Sequence, residues 1–235
     1  MNPKSIVYLV PSVLDVDAIE TIPPYIIEAI QNCQVIFAEN ERTARRFLKS
    51  LRKEIVIDDY EWFTIHKTEE EQLKIFRQKI AEEKNIAVIS EAGCPGIADP
   101  GQILVHTAHQ MHVTVKPLVG PSSILLALMA SGLNGQQFQF TGYLPVDSQH
   151  RILRIRELEE ESKRKKCTQI FIETPYRNNQ LLESILKTCR PSTQVCIACE
   201  LTSKNEFIRT MPVEDWQKEK TDLHKKPVIF LLLAV

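Results

Sequence analysis

The sequence predicts two α/β domains, an N-terminal one on a mainly parallel sheet (residues 1–116) and a C-terminal one on a mixed sheet (residues 117–235), with a ligand cleft between them. Three observations carry this expectation. Short apolar runs alternate with amphipathic segments, the pattern of a parallel sheet flanked by helices. The pattern restarts after Pro117-Leu118-Val119-Gly120-Pro121. All seven glycines lie between Gly93 and Gly142, so unusual backbone is needed in one stretch of the chain.

Taken in order, residues 6–10, 35–38, 55–57, 86–89 and 113–115 read as strands, and 23–33, 41–51, 69–84 and 102–111 as helices between them. Pro24 suits a first helical turn, where its missing N–H costs nothing. In the second half a helix is expected over 122–131, a strand at 138–141 and a long charged helix over 148–166. Strands follow at 169–173, 194–200, 207–211 and 228–235, with a helix at 177–189. The late strands follow one another at hairpin as well as crossover spacing, hence a mixed sheet.

Composition removes several classes of function. Lys plus Arg number 29 against 30 Asp plus Glu, a formal net charge of -1, which argues against indiscriminate nucleic-acid binding and leaves room only for a local basic face. No apolar run approaches the roughly 20 residues of a membrane-spanning helix. The N-terminal run breaks at Pro11 and reads as a first strand rather than a signal peptide. Of the six cysteines, Cys196 and Cys199 are spaced C-x-x-C, but inside a strand-like apolar run and without a second Cys or His pair at zinc spacing. They read as two thiols in a sheet, and the chain as a cytoplasmic protein without a metal.

Residues 86–101 run from an apolar strand into a loop with three glycines and two prolines, after which a helix begins near Gln102. A loop at the carboxyl end of a parallel strand is where α/β sheets bind ligands. The loop is neither a G-x-G-x-x-G dinucleotide fingerprint nor a phosphate-binding loop, since no G-K-[ST] follows. A second loop, Val119-Gly120-Pro121-Ser122-Ser123, opens the next helix, where a serine can cap the helix or free N–H groups can meet a carboxylate.

These motifs carry a resemblance. The pattern S-D-A-G-T-P-x-I-S-D-P-G is matched by Ser90-Glu91-Ala92-Gly93-Cys94-Pro95-Gly96-Ile97-Ala98-Asp99-Pro100-Gly101, and P-G-P-S-A by residues 119–123. F-x-G-F-L-P is matched by residues 140–145, E-S-P-x-R by Glu173-Thr174-Pro175-Tyr176-Arg177, R-E-L-T-K by residues 199–203, and E-D-T-R-x-T-R-x-L by residues 39–48. The chain resembles the tetrapyrrole-methylase-like superfamily of S-adenosylmethionine-dependent methyltransferases. Within it, the chain resembles the ribosomal small-subunit RNA methyltransferase I group, which methylates a cytidine ribose 2′-hydroxyl. It departs from the pattern at Pro11-Ser12-Val13-Leu14-Asp15, where the family has T-P-I-G-N, and at Glu91, Cys94, Cys199 and Ser203.

The resemblance implies S-adenosyl-L-methionine as cofactor, held by Pro11, Glu91, Gly93, Ile97, Ala98, Ser122, Ser123, Tyr143 and Leu201, and it implies a homodimer. A ribose hydroxyl is a poor nucleophile and benefits from a base, for which Glu173, Glu200 and Lys204 are the candidates. Glu173 reads equally well as the partner of Arg177, itself a candidate for substrate binding. His66 falls where the family carries S-x-H-E-H-N and is expected either to meet substrate or to stabilise the loop.

A helix over 41–53 would bury Ala44, Phe47, Leu48 and Leu51 on one face. It would present Arg42, Arg45, Arg46, Lys49, Arg52 and Lys53 on the other. Such a stripe can track phosphates, so Arg42, Arg45 and Arg46 are expected to bind ribosomal RNA of the small subunit. The cluster Lys163-Arg164-Lys165-Lys166 complements a helix dipole instead. Two other readings are a tetrapyrrole-like small-molecule acceptor, which would not need external cations, and a non-catalytic ligand- or RNA-binding relative.

Overall fold

The computed structural model describes residues 5–65, 69–98 and 101–234. The chain forms two compact units, Met1–Ser122 and Ser123–Val235. The expected site residue His66 and the loop residues Asp99 and Pro100 lie outside the described residues.

The first unit holds strands β1 (Ile6–Val10), β2 (Val35–Ala38), β3 (Glu61–Thr64), β4 (Ile86–Ile89) and β5 (Thr114–Pro117). Its helices are α1 (Ile26–Gln31), α2 (Glu41–Leu51), α3 (Glu69–Ala81) and α4 (Gln102–Gln110). The strands pair in the order β3-β2-β4-β1-β5, all parallel. Strands β2 and β4 are buried along their whole length, because parallel sheets carry helices on both faces. Tyr8, Val10, Ile36, Ala38, Ala87 and Ile89 pack against α1 and α2 on one face. Val7, Val35, Phe37, Ile86 and Val88 pack against α3 and α4 on the other.

One strand lies elsewhere than expected. Residues 55–57 are not a strand: Ile55 is buried and Ile57 part-buried under α2, Val56 points out, and Ile57–Asp59 form a 3-10 turn. The edge strand is Glu61–Thr64, whose Trp62, Phe63 and Thr64 favour a pleated surface. Helix α2 starts where its cap demands, Asn40 accepting from the Thr43 amide at 3.2 Å, and ends at Leu51 with Arg52 extended. Arg52 and Lys53 are therefore off the helix, and the expected six-cation helical stripe is shorter by two.

The second unit contains α5 (Ser123–Ser131), β6 (Phe138–Tyr143), α6 (Ser148–Lys165), β7 (Thr168–Ile172), α7 (Asn178–Thr188), β8 (Gln194–Cys199), β9 (Phe207–Pro212), α8 (Val213–Trp216) and β10 (Val228–Leu233). The strand order is β6-β7-β10-β8-β9, with β6 and β7 parallel and the remaining pairs antiparallel. Asp147 caps α6 by accepting from the Gln149 and His150 amides, and basic residues fill its last turn before the left-handed Lys166. The buried Glu159 accepts from the Arg190 amide at 2.7 Å and the Thr193 hydroxyl at 2.5 Å, tying α6 to the turn before β8.

Cys196 and Cys199 both lie in β8, but Cys199 packs with Val195 and Ile197 in one core while Cys196 faces the other side of the sheet. Burial pushes the Cys33 thiol up to about 12 and that of Cys199 up to about 11. Five of the six thiols are buried and Cys94 is half-buried. The expected result with a thiol-reactive dye is fast labelling at no more than one thiol in the native protein and six after denaturation. A second fast thiol would contradict this packing.

Candidate functional site

In the first unit β1, β4 and β5 are neighbours, so the loops after them meet at the carboxyl edge of the sheet. The chain leaves β1 towards the α1 face and β4 towards the α4 face. Adjacent strands whose connections depart to opposite faces mark the crevice where open α/β sheets bind ligands.

The loops are bound to one another by backbone. Ser12 and Gly93 exchange two hydrogen bonds, of 2.8 and 3.2 Å. The Ser12 hydroxyl donates to the Ser90 carbonyl at 2.8 Å, and the Ser90 hydroxyl to the Gly93 carbonyl at 3.1 Å. Gly93 sits at φ +74°, a region open to glycine. The Pro11 ring lies against Gly120, where a Cβ would stand 2.2 Å from Pro11 Cγ. The Cys94 thiol reaches the Pro121 carbonyl at 3.5 Å, and the Tyr25 hydroxyl accepts from the Val119 amide at 2.7 Å. The loop after β1 has no glycine of its own; Gly93 and Gly120, on the facing loops, supply the close approach instead.

At the outer rim of this edge Ile97 is 54% exposed and Val119 68% exposed, two apolar side chains left in solvent beside polar backbone. Ala98 is exposed at φ +61°. The amides of Ala92, Gly96 and Ala98 donate to no acceptor among the described residues. Glu91 is held at the next strand end: its amide donates to Glu39 Oε2 at 3.1 Å, and its own carboxylate accepts from the Thr43 hydroxyl at 3.4 Å. Ser122 closes the first unit and Ser123 opens α5 of the second, both half-buried.

The second unit gathers its own set. Strands β6, β7 and β8 run in one direction, so Tyr143, Glu173 and Glu200 fall at the same edge of the mixed sheet. The Glu173 side chain is fully buried and accepts from Arg177 Nη2 at 2.7 Å and the Thr174 amide at 2.6 Å. This bond, with Tyr143 nearby, raises the Arg177 guanidinium above its ordinary value against the opposing effect of burial. Glu200 lies 3.6 Å from the Lys226 ammonium, and its amide donates to the Pro227 carbonyl. Glu200 and Thr202 both have positive φ, 52° and 69°, so this turn stores backbone strain. Leu201 is buried and Lys204 exposed. Glu173 Oε2, Arg177 Nε, Asn178 Oδ1 and Thr202 Oγ1 are buried without a hydrogen-bond partner among the described residues. Such orphans are uncommon in a finished core and mark an edge built to meet something else.

Helix α2 separates its arginines. Ala44, Phe47 and Leu48 are buried, as the spacing requires. Arg42 and Arg46 are exposed and, with Glu41 and Arg45, line an open depression. Arg45 is folded back: it pairs with Glu41 at 2.7 Å and Asp58 at 3.7 Å, and lies over the Trp62 ring at 5.0 Å. Lys49 donates to the Lys53 carbonyl.

Sequence reasoning did not single out Ser12, Gly120 or Thr43. The hydroxyls of Ser12 and Thr43 carry no spacing signal, because their partners are distant in sequence. For Gly120 the adjacent Pro121 was legible, but its contact with Pro11 was not.

Residues 18–217 match the family Tetrapyrrole (Corrin/Porphyrin) Methylases. The chain is 34% identical to the "Ribosomal RNA small subunit methyltransferase I" of Vibrio cholerae over 174 residues, covering 72% of this chain and 59% of that protein. It is 31% identical to the protein of the same name from Escherichia coli O157:H7 over 235 residues, 98% of this chain and 78% of that one. Among solved structures, the methyltransferase CobJ superposes with a TM-score of 0.65 at 15% identity, covering 98% of this chain and 94% of its own. The precorrin-6Y methylase of Archaeoglobus fulgidus superposes with a TM-score of 0.57 at 19% identity, over 97% of each chain. At such identities these two carry the fold.

Proposed function

Because the chain belongs to the tetrapyrrole methylase family, we propose that it is an S-adenosylmethionine-dependent methyltransferase acting on a ribose 2′-hydroxyl of small-subunit ribosomal RNA, as a cytoplasmic homodimer. The observation that carries the cofactor is the convergence of three loops at the carboxyl edge of the parallel sheet, stitched by Ser12, Ser90 and Gly93. Its chemistry suits the ligand: the amides of Ala92, Gly96 and Ala98, which have no acceptor among the described residues, can meet a carboxylate, and exposed Ile97 and Val119 offer apolar surface to a purine. Pro11, Glu91, Gly93, Ile97, Ala98 and Ser122 would hold it; Ser123, Tyr143 and Leu201 are assigned to the cofactor by the family resemblance alone. The bound group supplies an activated methyl; the protein's part is alignment of donor and acceptor, worth roughly 7–11 kcal/mol at best.

For the acceptor, the support is the likeness to the two proteins named above and the exposed arginines of α2. Arg42 and Arg46 are exposed and have no ion-pair partner among the described residues, so they can take phosphates, whereas Arg45 is already held by Glu41 and Trp62. Glu200 and Lys204 remain the candidates for the base, together with Glu173, whose one bonded oxygen and burial favour a supporting part.

The test is transfer of labelled methyl to small ribosomal subunits from a strain lacking this gene, after calorimetry with S-adenosylmethionine. Lack of cofactor binding at millimolar concentration would sink the methyltransferase reading, and label absent from RNA would sink the substrate. In the same assay Arg42→Ala with Arg46→Ala should weaken RNA binding and flatten the log–log salt dependence by about 1.5–2 units, leaving cofactor affinity intact. Arg45→Ala should change the salt slope less than either of its neighbours does.

A further inference from the structure

We infer that Tyr176 and His224 form a stacking platform for an unpaired base of the RNA substrate, with Lys225 and Lys204 placed for the flanking phosphates. This rests on the RNA reading above and adds a recognition element to it. Tyr176 stands between Pro175 and Arg177 at the carboxyl end of β7 and is 69% exposed. An exposed ring is ordinary by itself; this one is fixed. The His224 ring packs edge-to-face on it, centroids 6.2 Å apart at 70°.

The loop that carries His224 is sewn to the same edge by its backbone. The Lys225 amide donates to the Pro175 carbonyl at 2.9 Å, and the Leu223 amide to Asn179 Oδ1 at 2.8 Å. Asp222 Oδ1 accepts from Asn179 Nδ2 at 2.8 Å and from the His224 amide at 3.0 Å. Asn178, fully buried, donates to the Lys226 carbonyl at 2.7 Å. Lys225 is held at φ +60°, which costs backbone energy that a plain connector would avoid. Two solvent-exposed rings are thus pre-set in position, and pre-setting removes the ordering cost of binding.

The surroundings select the occupant. Lys225 and Lys204 are exposed. Arg177 is tied to Glu173 and Lys226 to Glu200, so these cations are partly neutralised and the two lysines carry the free charge. Aromatic and imidazole rings beside phosphate-binding cations are how proteins hold splayed, single-stranded RNA bases. Tyr176 offers its ring at the surface with His224 bracing it edge-on, unlike the concave pocket that a small acceptor requires.

The test uses the full chain, with small subunits as substrate and a short single-stranded oligoribonucleotide containing 2-aminopurine as probe. Tyr176→Ala should raise KM for subunits and Kd for the probe roughly 10- to 100-fold, with kcat and cofactor affinity nearly unchanged. Tyr176→Phe and Tyr176→Trp should retain wild-type values and the aminopurine quench, and His224→Ala should lie between. If the wild type labels RNA but Tyr176→Ala keeps its KM and its quench, the platform is refuted while the RNA reading stands. An equal loss in Tyr176→Phe, or a parallel loss of cofactor affinity, would also refute it. If the wild type labels no RNA, the RNA reading fails, and a flat aminopurine titration would then remove the platform independently.

Discussion

Gly120→Ala is expected to reduce methyl transfer by about a hundredfold, the scale of a misplacement near 1 Å at a reacting centre. It should also destabilise the first unit by about 1–3 kcal/mol. The added Cβ would stand 2.2 Å from Pro11 Cγ and 2.3 Å from Pro11 Cβ. A proline ring cannot rotate away, so one of the two loops must move. Pro11 leads into Ser12, whose bonds to Gly93 and Ser90 hold the loop after β4 in place, so displacement spreads to all three loops. The compensating exchange, Pro11→Gly with Gly120→Ala, removes both ring contacts and should recover most of the lost stability. Thermal melts and labelled-methyl transfer on the three proteins decide it. A Gly120→Ala protein with wild-type melting and turnover would mean that the loops do not depend on this contact.

The elements that sequence patterning resolves are those whose burial is set by local periodicity. Val35–Ala38 and Ile86–Ile89 read as strands because both their faces meet helices, and the start of α2 reads because Asn40 caps it, whereas the basic run carries the expected stripe on to Lys53, two residues past the end of the helix at Leu51. Residues 55–57 carry the same apolar signal without the strand, since their side chains only pin a turn beneath α2, and hydrophobicity alone does not separate the two uses. The loop after β4 was legible from glycine and proline density. The Ser12–Gly93 bridge was not, being a backbone pairing between residues far apart in the chain. Side-chain partners chosen across the fold were equally hidden: nothing in the spacing of Arg42, Arg45 and Arg46 tells which of them Glu41 and Trp62 hold back.

The two edges are built by different means. The parallel sheet ends in loops joined by backbone hydrogen bonds with glycines at the contacts, which suits a ligand recognised through its polar ends. The mixed sheet ends in charged side chains, a strained turn at Glu200 and Thr202, and several unpartnered buried atoms. Such an edge is costly until something completes it, so substitutions there should disturb function and stability by separable amounts.

Arg177→Ala is the sharpest case. It leaves the fully buried Glu173 carboxylate with the Thr174 amide on one oxygen and no partner among the described residues on the other. Breaking a buried ion pair from one side costs about 3–5 kcal/mol. Because the Arg177 side chain is 30% exposed, water reaches part of the pair and the lower end of that range is expected. Glu173→Gln in the same background removes the stranded charge and should return much of the loss, which a double-mutant cycle by urea denaturation measures. Arg177→Lys separates packing from function: it keeps the positive charge beside Glu173, so stability should fall by no more than about 1 kcal/mol, but it lacks the planar fork that a phosphate or ribose oxygen would engage. A stable Arg177→Lys protein with strongly reduced methyl transfer would assign Arg177 to the substrate. Stable protein with full activity would leave Arg177 as the ion-pair partner that anchors Glu173 inside the fold.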